Sequence, residues 1–489
     1  MRPNRPIGSG PAAAVTAPRD PIAKVLVIFL LVEPTIDLFY FFNWQLGPFK
    51  IGPIHVAGLV FGAYLSLASL RLSGIKVPYA KVFFAFIGFN VISFSIGQTA
   101  VSPPGLVSFI EFMIKVGISF ICYVAVFRAG VRWRYENVLP LLKYAFAGLT
   151  VPIIVNIVAI KIGYGGPKLG DQTITGSLRE TGLYYDSGVL AIVALQGVVF
   201  GLALMFSKAV RGILLRVLVV GIIVAAVYLI YLSLSRSVII LLGVSLCLFL
   251  LFNRGGLSRT VLSVGMLAAL LAVIALNAVD LSRIEARFET EIGVVSALRS
   301  ERDDQGFSGR VTFEGGVDDK IAILDQLGNN RGRIWRLQIE AIMERPLVYI
   351  MFGNFRGGAH SDYIDVLARN GVIGLLVYAA LLLQIMRLTI RSVTRGKNCQ
   401  DDIVFLVALV LLVNYILYSV PFRPLSYGTP VWYMWIMLAL TFSRQYQPVS
   451  NVASAVMQPN RIANKAAMPA PARAPAGRSH GTAPWRPLR

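Results

Sequence analysis

The stretch "VLVVGIIVAAVYLIYLSLSRSVIILLGVSLCLFLLF", residues 217–252, consists of two apolar runs separated by a short serine-rich turn that contains an arginine. Each run is long enough, or nearly so, to cross the roughly 30 Å hydrocarbon core of a bilayer as a helix. Because hydrocarbon offers no partner for a free backbone N–H or C=O group, such runs must be helical. The turn between them then holds Arg236 at or just below the membrane interface.

The composition of the whole chain extends this pattern. Its 489 residues are 56% hydrophobic and only 15% charged, with a mean hydropathy of +0.68, which excludes an ordinary soluble domain. Further apolar runs bring the set to residues 22–42, 51–70, 82–96, 106–127, 139–160, 189–206, 217–234, 238–252, 261–279, 364–386, 403–420 and 431–442. The sequence therefore predicts an all-α membrane protein, a polytopic bundle of about twelve transmembrane helices.

Basic residues orient the predicted bundle. Arginines and lysines concentrate in alternate connections, such as the one containing Arg128, Arg132 and Arg134, whereas the connection "GQTAVSPPG" contains neither. The positive-inside rule then places both termini in the cytoplasm and the odd-to-even connections on the outer side of the membrane. The same rule accounts for much of the formal net charge of +21, so the charge gives no reason to expect a nucleic-acid partner.

Five segments follow from this topology. Residues 1–21 and 443–489 are rich in Pro, Ala, Gly and Arg and are predicted to be disordered cytoplasmic tails. Residues 22–279 hold transmembrane helices one to nine, and residues 364–442 hold helices ten to twelve. Between them, residues 280–363 form a large periplasmic loop that far exceeds the usual loop length. Such a loop is typical of a functional segment or a disordered one.

The loop contains a helical signal of its own, "RIWRLQIEAIMERP". Trp335, Ile339, Ile342 and Met343 recur at a spacing that puts them on one helix face, and Pro346 ends the run. The segment is predicted to be an amphipathic helix. It lies either on the membrane surface or packed against the rest of the loop.

Four side chains assigned to the periplasmic face carry the candidate chemistry. His360, in the Gly-rich stretch before helix ten, has a side chain whose ordinary pKa lies near neutrality, so it can accept a proton from a hydroxyl group. Arg179, Arg236 and Arg333 suit a phosphate, because a guanidinium binds oxyanions in planar, bidentate geometry. Singly, each has an ordinary explanation: a histidine bonded at a helix start, or arginines reaching the lipid headgroups. Together they favour a lipid-linked phosphate substrate.

The order of these elements resembles the O-antigen polymerase and ligase family of polytopic membrane glycosyltransferases. The resemblance rests on "RETG" (residues 179–182), "SLSR" (residues 233–236), "GRIW" (residues 332–335) and a histidine ahead of "NGVIGLL". It covers roughly residues 179–388. The order of the motifs, their predicted side of the membrane and the long loop carry it, since each motif alone is weak.

The resemblance implies roles for the matching residues. Arg179 and Arg236 would bind the diphosphate of an undecaprenyl-diphosphate-linked glycan, Arg333 would support the site from the loop, and His360 would activate the acceptor hydroxyl. Asp362 and Tyr363 would orient the imidazole or bind sugar, although as residues opening a helix they could equally be caps. Ligases often have His-Asn where this chain has "HS", and the G-x-G expected before the histidine is reduced to "FGNF".

These departures favour a polymerase of O-antigen, capsule or exopolysaccharide units over a ligase that transfers glycan to a lipid A core. A transporter or flippase of lipid-linked glycan is the alternative from another class. The reaction needs no cofactor or metal on this scheme, and the acidic pairs Asp303–Asp304 and Asp318–Asp319 lie in the most hydrophilic part of the loop, where solvation is expected. The expected partners are a lipid-linked donor and acceptor, the bilayer and a chain-length regulator.

Overall fold

The computed structural model of the chain describes residues 21–39, 42, 44–46, 49–70, 72, 75–100, 105–133, 135–163, 171–172, 178–184, 186–207, 210, 212–252, 331–357, 361–395, 402–426 and 428–445. Side chains are described for most of these. All of them belong to one compact unit, Met1–Gln445. The predicted disordered tails therefore lie outside the described residues, apart from a few residues at their inner boundaries.

The described part of the chain is mainly helical. Its thirteen α-helices, numbered here in chain order, are α1 (Pro21–Ile36), α2 (Pro53–Leu70), α3 (Ala80–Gly97), α4 (Leu106–Gly130), α5 (Tyr135–Lys161), α6 (Ser187–Phe206), α7 (Ile213–Ser233), α8 (Arg236–Phe252), α9 (Arg331–Met343), α10 (Leu347–Phe352), α11 (Asp362–Arg395), α12 (Asp402–Tyr418) and α13 (Gly428–Gln445). Short 3-10 turns lie at Asp37–Phe39 and Pro424–Ser426.

Two short antiparallel hairpins complete the secondary structure of the described residues. Strands β1 (Trp44–Leu46) and β2 (Phe49–Ile51) pair so that Trp44 lies opposite Ile51. Strands β3 (Asp171–Gln172) and β4 (Leu178–Arg179) pair so that Asp171 lies opposite Arg179.

The helical fold class is confirmed. Helices coincide with every predicted apolar run except 261–279, which lies outside the described residues. Within the described part, seven helices are long and apolar enough to cross a membrane, namely α2 to α7 and α11. Helices α8 and α12 are apolar but shorter, at 17 residues each. The total of about twelve membrane-spanning helices and the placement of the long loop thus stay predictions.

The first predicted run differs from the structure. Residues 22–42 were expected to be one span, but α1 ends at Ile36 and continues as the 3-10 turn that begins at Asp37. Pro34 lies inside the last turn of α1 and has no N–H group to donate to the carbonyl of Leu30. The Tyr433 hydroxyl donates to that carbonyl instead, at 2.6 Å. The bond joins α13 to α1.

Helix α6 lies at the centre of the bundle. In an apolar stretch of 18 residues within α6, 94% of the residues are buried, compared with 28% in the corresponding stretches of α2 and α3. Its apolar residues continue around the whole helix, as expected for a helix surrounded by protein rather than lipid. Helices α5, α7, α8, α12 and α13 all pack against it, so the packing of the bundle is centred on this element.

Contacts define two ends of the bundle. At one end, called here the site end, the beginnings of α4, α6, α8 and α11 meet the ends of α3, α7 and α12. At the opposite end, Arg128 in the last turn of α4 donates hydrogen bonds to the carbonyls of Ser69 (3.1 Å) and Ile75 (3.3 Å). This satisfies a carbonyl in the last turn of α2, which has no partner within the helix.

The contact of α1 with α5 gives a test of this packing. A Cβ atom added at Gly148 would overlap the Leu30 carbonyl, whereas one added at Gly221 in α7 would meet nothing within 4 Å. We expect Gly148→Ala to lower the free energy of unfolding by about 1–3 kcal/mol, as overpacking does. Gly221→Ala should leave it unchanged or raised, because alanine favours helix. Thermal unfolding in detergent measures both, and equal midpoints for the two variants would contradict the described packing.

Candidate functional site

A break in α11 shapes the site end. Gly371, in the stretch "RNGVIG", has φ 66° and ψ −171°, which divides α11 into a short helix at residues 362–370 and a longer one at residues 372–395. Glycine adopts this backbone conformation without steric cost. It also lets Gly371 lie directly against the backbone of Met351 and Gly353. The chain before α11 can therefore fold back onto the break.

The turn at residues 353–357 occupies that position. The backbone N–H of Phe355 donates to the Arg369 carbonyl at 2.9 Å. The Asn354 side-chain oxygen accepts bonds from Arg345 (2.9 Å) and from the backbone N–H of Arg356 (3.2 Å), and Arg345 also donates to the Ala368 carbonyl at 3.2 Å. Burial and the nearby Arg356 charge lower the pKa of Arg345. Its bonds tie the turn to the short helix of α11.

Aromatic rings hold the same turn against α3 and α4. The Phe355 ring is buried and lies 5.8, 5.1 and 5.6 Å, centroid to centroid, from Phe94, Phe109 and Phe112, each time edge to face. Edge-to-face pairs are the favoured arrangement of aromatic rings. Irregular backbone among membrane-spanning helices is tolerated where protein or a polar cavity surrounds it, and these contacts provide that surrounding.

The predicted base, His360, lies outside the described residues, but the residues on either side of segment 358–360 are described. Gly357 lies against the side chains of Asp365 and Arg369. On the other side, the Ser361 hydroxyl donates to the carbonyl of Ser419 at 3.1 Å. The described residues that flank this segment thus contact the short helix of α11 on one side and the turn that follows α12 on the other.

Asp362 and Tyr363 open the short helix and face the connection between α12 and α13. The buried Asp362 carboxylate accepts bonds from the Ser419 hydroxyl (3.1 Å) and from the backbone N–H of Leu425 (3.0 Å). The Tyr363 hydroxyl donates to the carbonyl of Ile416 at 2.9 Å. These contacts hold the start of the short helix against the end of α12 and the connection that follows it. A direct role of either side chain toward substrate stays a prediction.

The "SLSR" motif forms the tight turn between α7 and α8. The Ser233 hydroxyl donates to the Ile230 carbonyl at 2.7 Å and accepts the backbone N–H of Ser235 at 3.3 Å. Leu234 takes a left-handed conformation with φ 49°. The serines therefore build the turn, and Arg236 becomes the first residue of α8, half-buried at the site end.

The "RETG" motif lies beside that turn. Arg179 is the last residue of β4, and the next residue, Glu180, donates its backbone N–H to the carbonyl of Leu232 at the end of α7, at 3.3 Å. The Arg179 side chain lies outside the description. Gly182 has φ 57° and lies against the side-chain oxygen of Asn156, which also accepts the backbone N–H of Leu183 at 2.7 Å. The backbones that carry Arg179 and Arg236 are thus neighbours.

A third contact links the start of α6, which follows the "RETG" motif, to the helix start that follows the histidine. Gly188, in the first turn of α6, packs against the ring of Phe422. The carbonyl of Phe422 in turn accepts the backbone N–H of Asp362 at 3.0 Å. The structure therefore brings the backbones at Arg179, at Arg236 and beside His360 to one end of the bundle.

Arg333 belongs to the predicted amphipathic helix. That helix is confirmed as α9, which ends at Met343, before Pro346. The Arg333 side chain lies outside the description. On the predicted apolar face Ile342 is buried, whereas Ile339 and Met343 are 42% and 63% exposed. Since α9 packs on α11 through one side and exposes apolar residues on the other, these contacts are consistent with either predicted position of the helix.

Sequence reasoning missed a charged cluster next to these residues. Arg369 pairs with Asp365 at 2.7 Å, and Arg423 approaches the other oxygen of the same carboxylate at 3.9 Å. The Arg369 guanidinium also lies over the rings of Phe112 (4.9 Å) and Phe355 (5.1 Å), in cation–π geometry. The signals that could have revealed the cluster are the i, i+4 pair in "DVLAR" and the charge in "VPFRP".

Comparison with known families bears on the same region. Residues 221–379 match the family model described as O-antigen ligase. The match, over about a third of the chain, supports membership of the O-antigen polymerase and ligase family. The matched segment begins within α7 and ends in α11 beyond the break, so it contains Arg236, Arg333 and His360 and leaves out Arg179. No curated protein matches the chain. The family and the long apolar helices together identify a membrane protein.

Gly182 of "RETG" allows a matched test of the loop geometry. Gly182 and Gly163 both have positive φ, but an added Cβ would meet Asn156 only at Gly182 and would meet nothing within 4 Å at Gly163. Both alanine variants carry the backbone strain of order 1 kcal/mol. Only Gly182→Ala should displace Asn156 and break its bond to Leu183. Hydrogen exchange of the amide of Leu183 should accelerate in Gly182→Ala and stay unchanged in Gly163→Ala. Equal protection in both variants would refute this geometry.

Proposed function

We propose that this family member is a membrane polymerase of O-antigen, capsule or exopolysaccharide repeat units. It would transfer a glycan from undecaprenyl diphosphate to a sugar hydroxyl of a lipid-linked acceptor, at the periplasmic face of the bacterial inner membrane. The observation that carries the proposal is the meeting, at one end of the bundle, of the backbone segments of three separate motifs. The family match to residues 221–379 supports the reaction class.

The proposed mechanism divides the chemistry between cations and a base. Arg179 and Arg236 hold the diphosphate, and Arg333 supports it from the long loop. As the bond between the anomeric carbon and the phosphate oxygen breaks, negative charge grows on that oxygen, and fixed guanidiniums stabilise it without a metal ion. Because their positions are set before the reaction, no reorganisation is needed when the charge develops.

His360 acts on the other substrate. Its imidazole takes the proton of the acceptor hydroxyl, whose oxygen attacks the anomeric carbon from the face opposite the leaving diphosphate. The new glycosidic bond therefore has inverted anomeric configuration, and undecaprenyl diphosphate leaves with the electron pair of the broken bond. Asp362 and Tyr363 support this step by fixing the start of the short helix, two residues after the base.

A ligase is the second candidate function, because the matching family model is described as O-antigen ligase. The two reactions share the donor, the leaving group and the base. They differ in the acceptor, which for a ligase is a lipid A core. The stretch "HSDY" in place of His-Asn favours the polymerase.

Removal of the base should abolish polymerisation. Purified chain given an undecaprenyl-diphosphate-linked repeat unit and a chelator should lengthen the glycan, as measured by gel electrophoresis of the product. His360→Ala should reduce the rate by at least about 100-fold, the usual contribution of general base catalysis. The control His480→Ala, in the predicted C-terminal tail, should be unaffected. A His360→Ala chain that polymerises normally would remove the histidine from the mechanism, and inhibition by the chelator would contradict metal-independent transfer.

The identity of the acceptor can be tested in cells that lack the chain. If the protein is a polymerase, the surface acceptor should carry single repeat units, because transfer to it still occurs. If the protein is a ligase, that acceptor should carry no glycan. A flippase would instead move the lipid-linked unit across liposomes without any change in glycan length, and that result would overturn both enzyme proposals.

A further inference from the structure

Lys115 lies where a cation is costly. It is on α4, nine residues after Leu106, or roughly 13 Å along a helix that rises 1.5 Å per residue. It is only partly exposed, and its ammonium makes no hydrogen bond or ion pair with any residue that the structure describes. Ionisable groups at such depth in a membrane helix are usually functional. Its surroundings therefore indicate what it could bind.

Those surroundings hold two further cations, Arg369 and Arg423. Phe112 lies three residues before Lys115 on the same face of α4, and the Arg369 guanidinium lies over the Phe112 ring at 4.9 Å. The charges of Glu111, Arg369 and Arg423 accordingly act on the Lys115 ammonium.

The two arginines share one carboxylate. Asp365 pairs with Arg369 at 2.7 Å, and its other oxygen lies 3.9 Å from Arg423, beyond hydrogen-bond distance. Glu111 is on the same helix as Lys115, one turn earlier, and is exposed. Among the described residues, no carboxylate lies within 4.0 Å of the Lys115 ammonium, and Arg423 has only the 3.9 Å contact to Asp365, so these two cations could hold an additional anion.

The three cations are held differently. Arg369 is fixed by Asp365 and by the rings of Phe112 and Phe355, so its role is to position the cluster. Arg423 is 33% exposed and has one long contact to Asp365. Among the described residues, Lys115 and Arg423 therefore keep donors available for a ligand. An ammonium and a guanidinium together suit a carboxylate or a phosphate.

The location of the cluster points to the acceptor. Gly357, three residues before the proposed base, lies against Asp365 and Arg369. Arg179 and Arg236, proposed to hold the donor diphosphate, instead belong to segments next to the end of α7, which packs on α5 and α6. A group bound by this cluster would thus lie beside Gly357, in the described backbone that leads to the base. The substrate that meets the base is the one that supplies the hydroxyl.

We infer that Lys115 and Arg423, positioned by the Asp365–Arg369 pair, form a second anion site that binds an acidic group of the acceptor glycan, a sugar carboxylate or a phosphate substituent close to the reacting hydroxyl. The site would select acidic repeat units and orient the hydroxyl toward His360. This inference rests on the proposed polymerase function for its assignment to the acceptor. The anion site itself can be tested without that function.

Binding to the full chain in nanodiscs tests the site directly. Titration with D-glucuronate and with glucose 6-phosphate separates carboxylate from phosphate recognition, and glucose serves as the neutral control. At least one of the two anions should bind saturably, and Lys115→Met and Arg423→Gln should each weaken it at least about tenfold. Lys161→Met at the same end of the bundle and Arg387→Gln on the far part of α11 should not. No saturable anion binding, or binding that is equal in all variants, would overturn the site.

Kinetics test the assignment to the acceptor. The repeat unit isolated from cells that make the polymer should contain an acidic group; a wholly neutral repeat unit would contradict the inference. With that repeat unit, Lys115→Met should raise KM for the acceptor at least about tenfold with kcat within about threefold, and Lys115→Arg should restore most of the affinity. Reduction of the sugar carboxyl, or removal of the phosphate substituent, should abolish the difference between wild type and Lys115→Met.

The remaining outcomes are also decisive. A rise in KM for the donor, with KM for the acceptor unchanged, would place the cluster at the donor diphosphate and refute the acceptor assignment. If the wild-type chain makes no polymer at all, the proposed function fails, and the titration alone then decides whether the anion site exists. Circular dichroism of each variant identifies unfolded protein, in which case Lys115→Arg and Arg423→Lys provide the folded comparison.

Discussion

The site end depends on the left-handed backbone at Gly371. A continuous α11 would have no gap for the turn at residues 353–357, and that turn connects the long loop to the helix that follows the proposed base. The same break gives the short helix of residues 362–370 its own direction, with Asp362 and Tyr363 bonded to the α12–α13 connection and Arg369 placed between two phenylalanine rings. Discontinuous helices near binding sites are a recurrent feature of membrane proteins, because their ends provide polar backbone within the bilayer.

The site end combines two kinds of polar groups within an apolar bundle. Some make hydrogen bonds that join neighbouring segments, such as Arg345 to Asn354 at 2.9 Å and Asn370 to Asn90 at 3.0 Å. Others, above all the Lys115 ammonium, make no hydrogen bond or ion pair with a described residue. Buried polar groups are normally paired, so the second kind indicates where a substrate binds. An enzyme that joins two glycans needs two binding regions, and on the proposed function the motif arginines and the Lys115 cluster would be those regions.

Much of the fold could be predicted from hydropathy, because the requirement for satisfied backbone in lipid makes long apolar runs helical. The predicted α9 and its end before Pro346 also followed from local periodicity. The end of α1 at Ile36 did not, since apolar residues continue beyond it and the interruption arises from Pro34 and its replacement partner on α13. The order of the motifs singles out residues 179, 236, 333 and 360, whose roles stay predictions. The pair of Asp365 with Arg423 could not, because it joins residues 58 positions apart through a packing that only the folded bundle defines.

The central claim is that fixed cations and a base, distant along the chain, share one cavity. An experimental structure of the full chain with undecaprenyl diphosphate bound tests it most directly. The account predicts the diphosphate oxygens within about 3 Å of the Arg179 and Arg236 guanidiniums, with the His360 imidazole facing the same cavity from the α11 side. Guanidiniums that open into lipid, or an imidazole that faces a separate cavity, would contradict it.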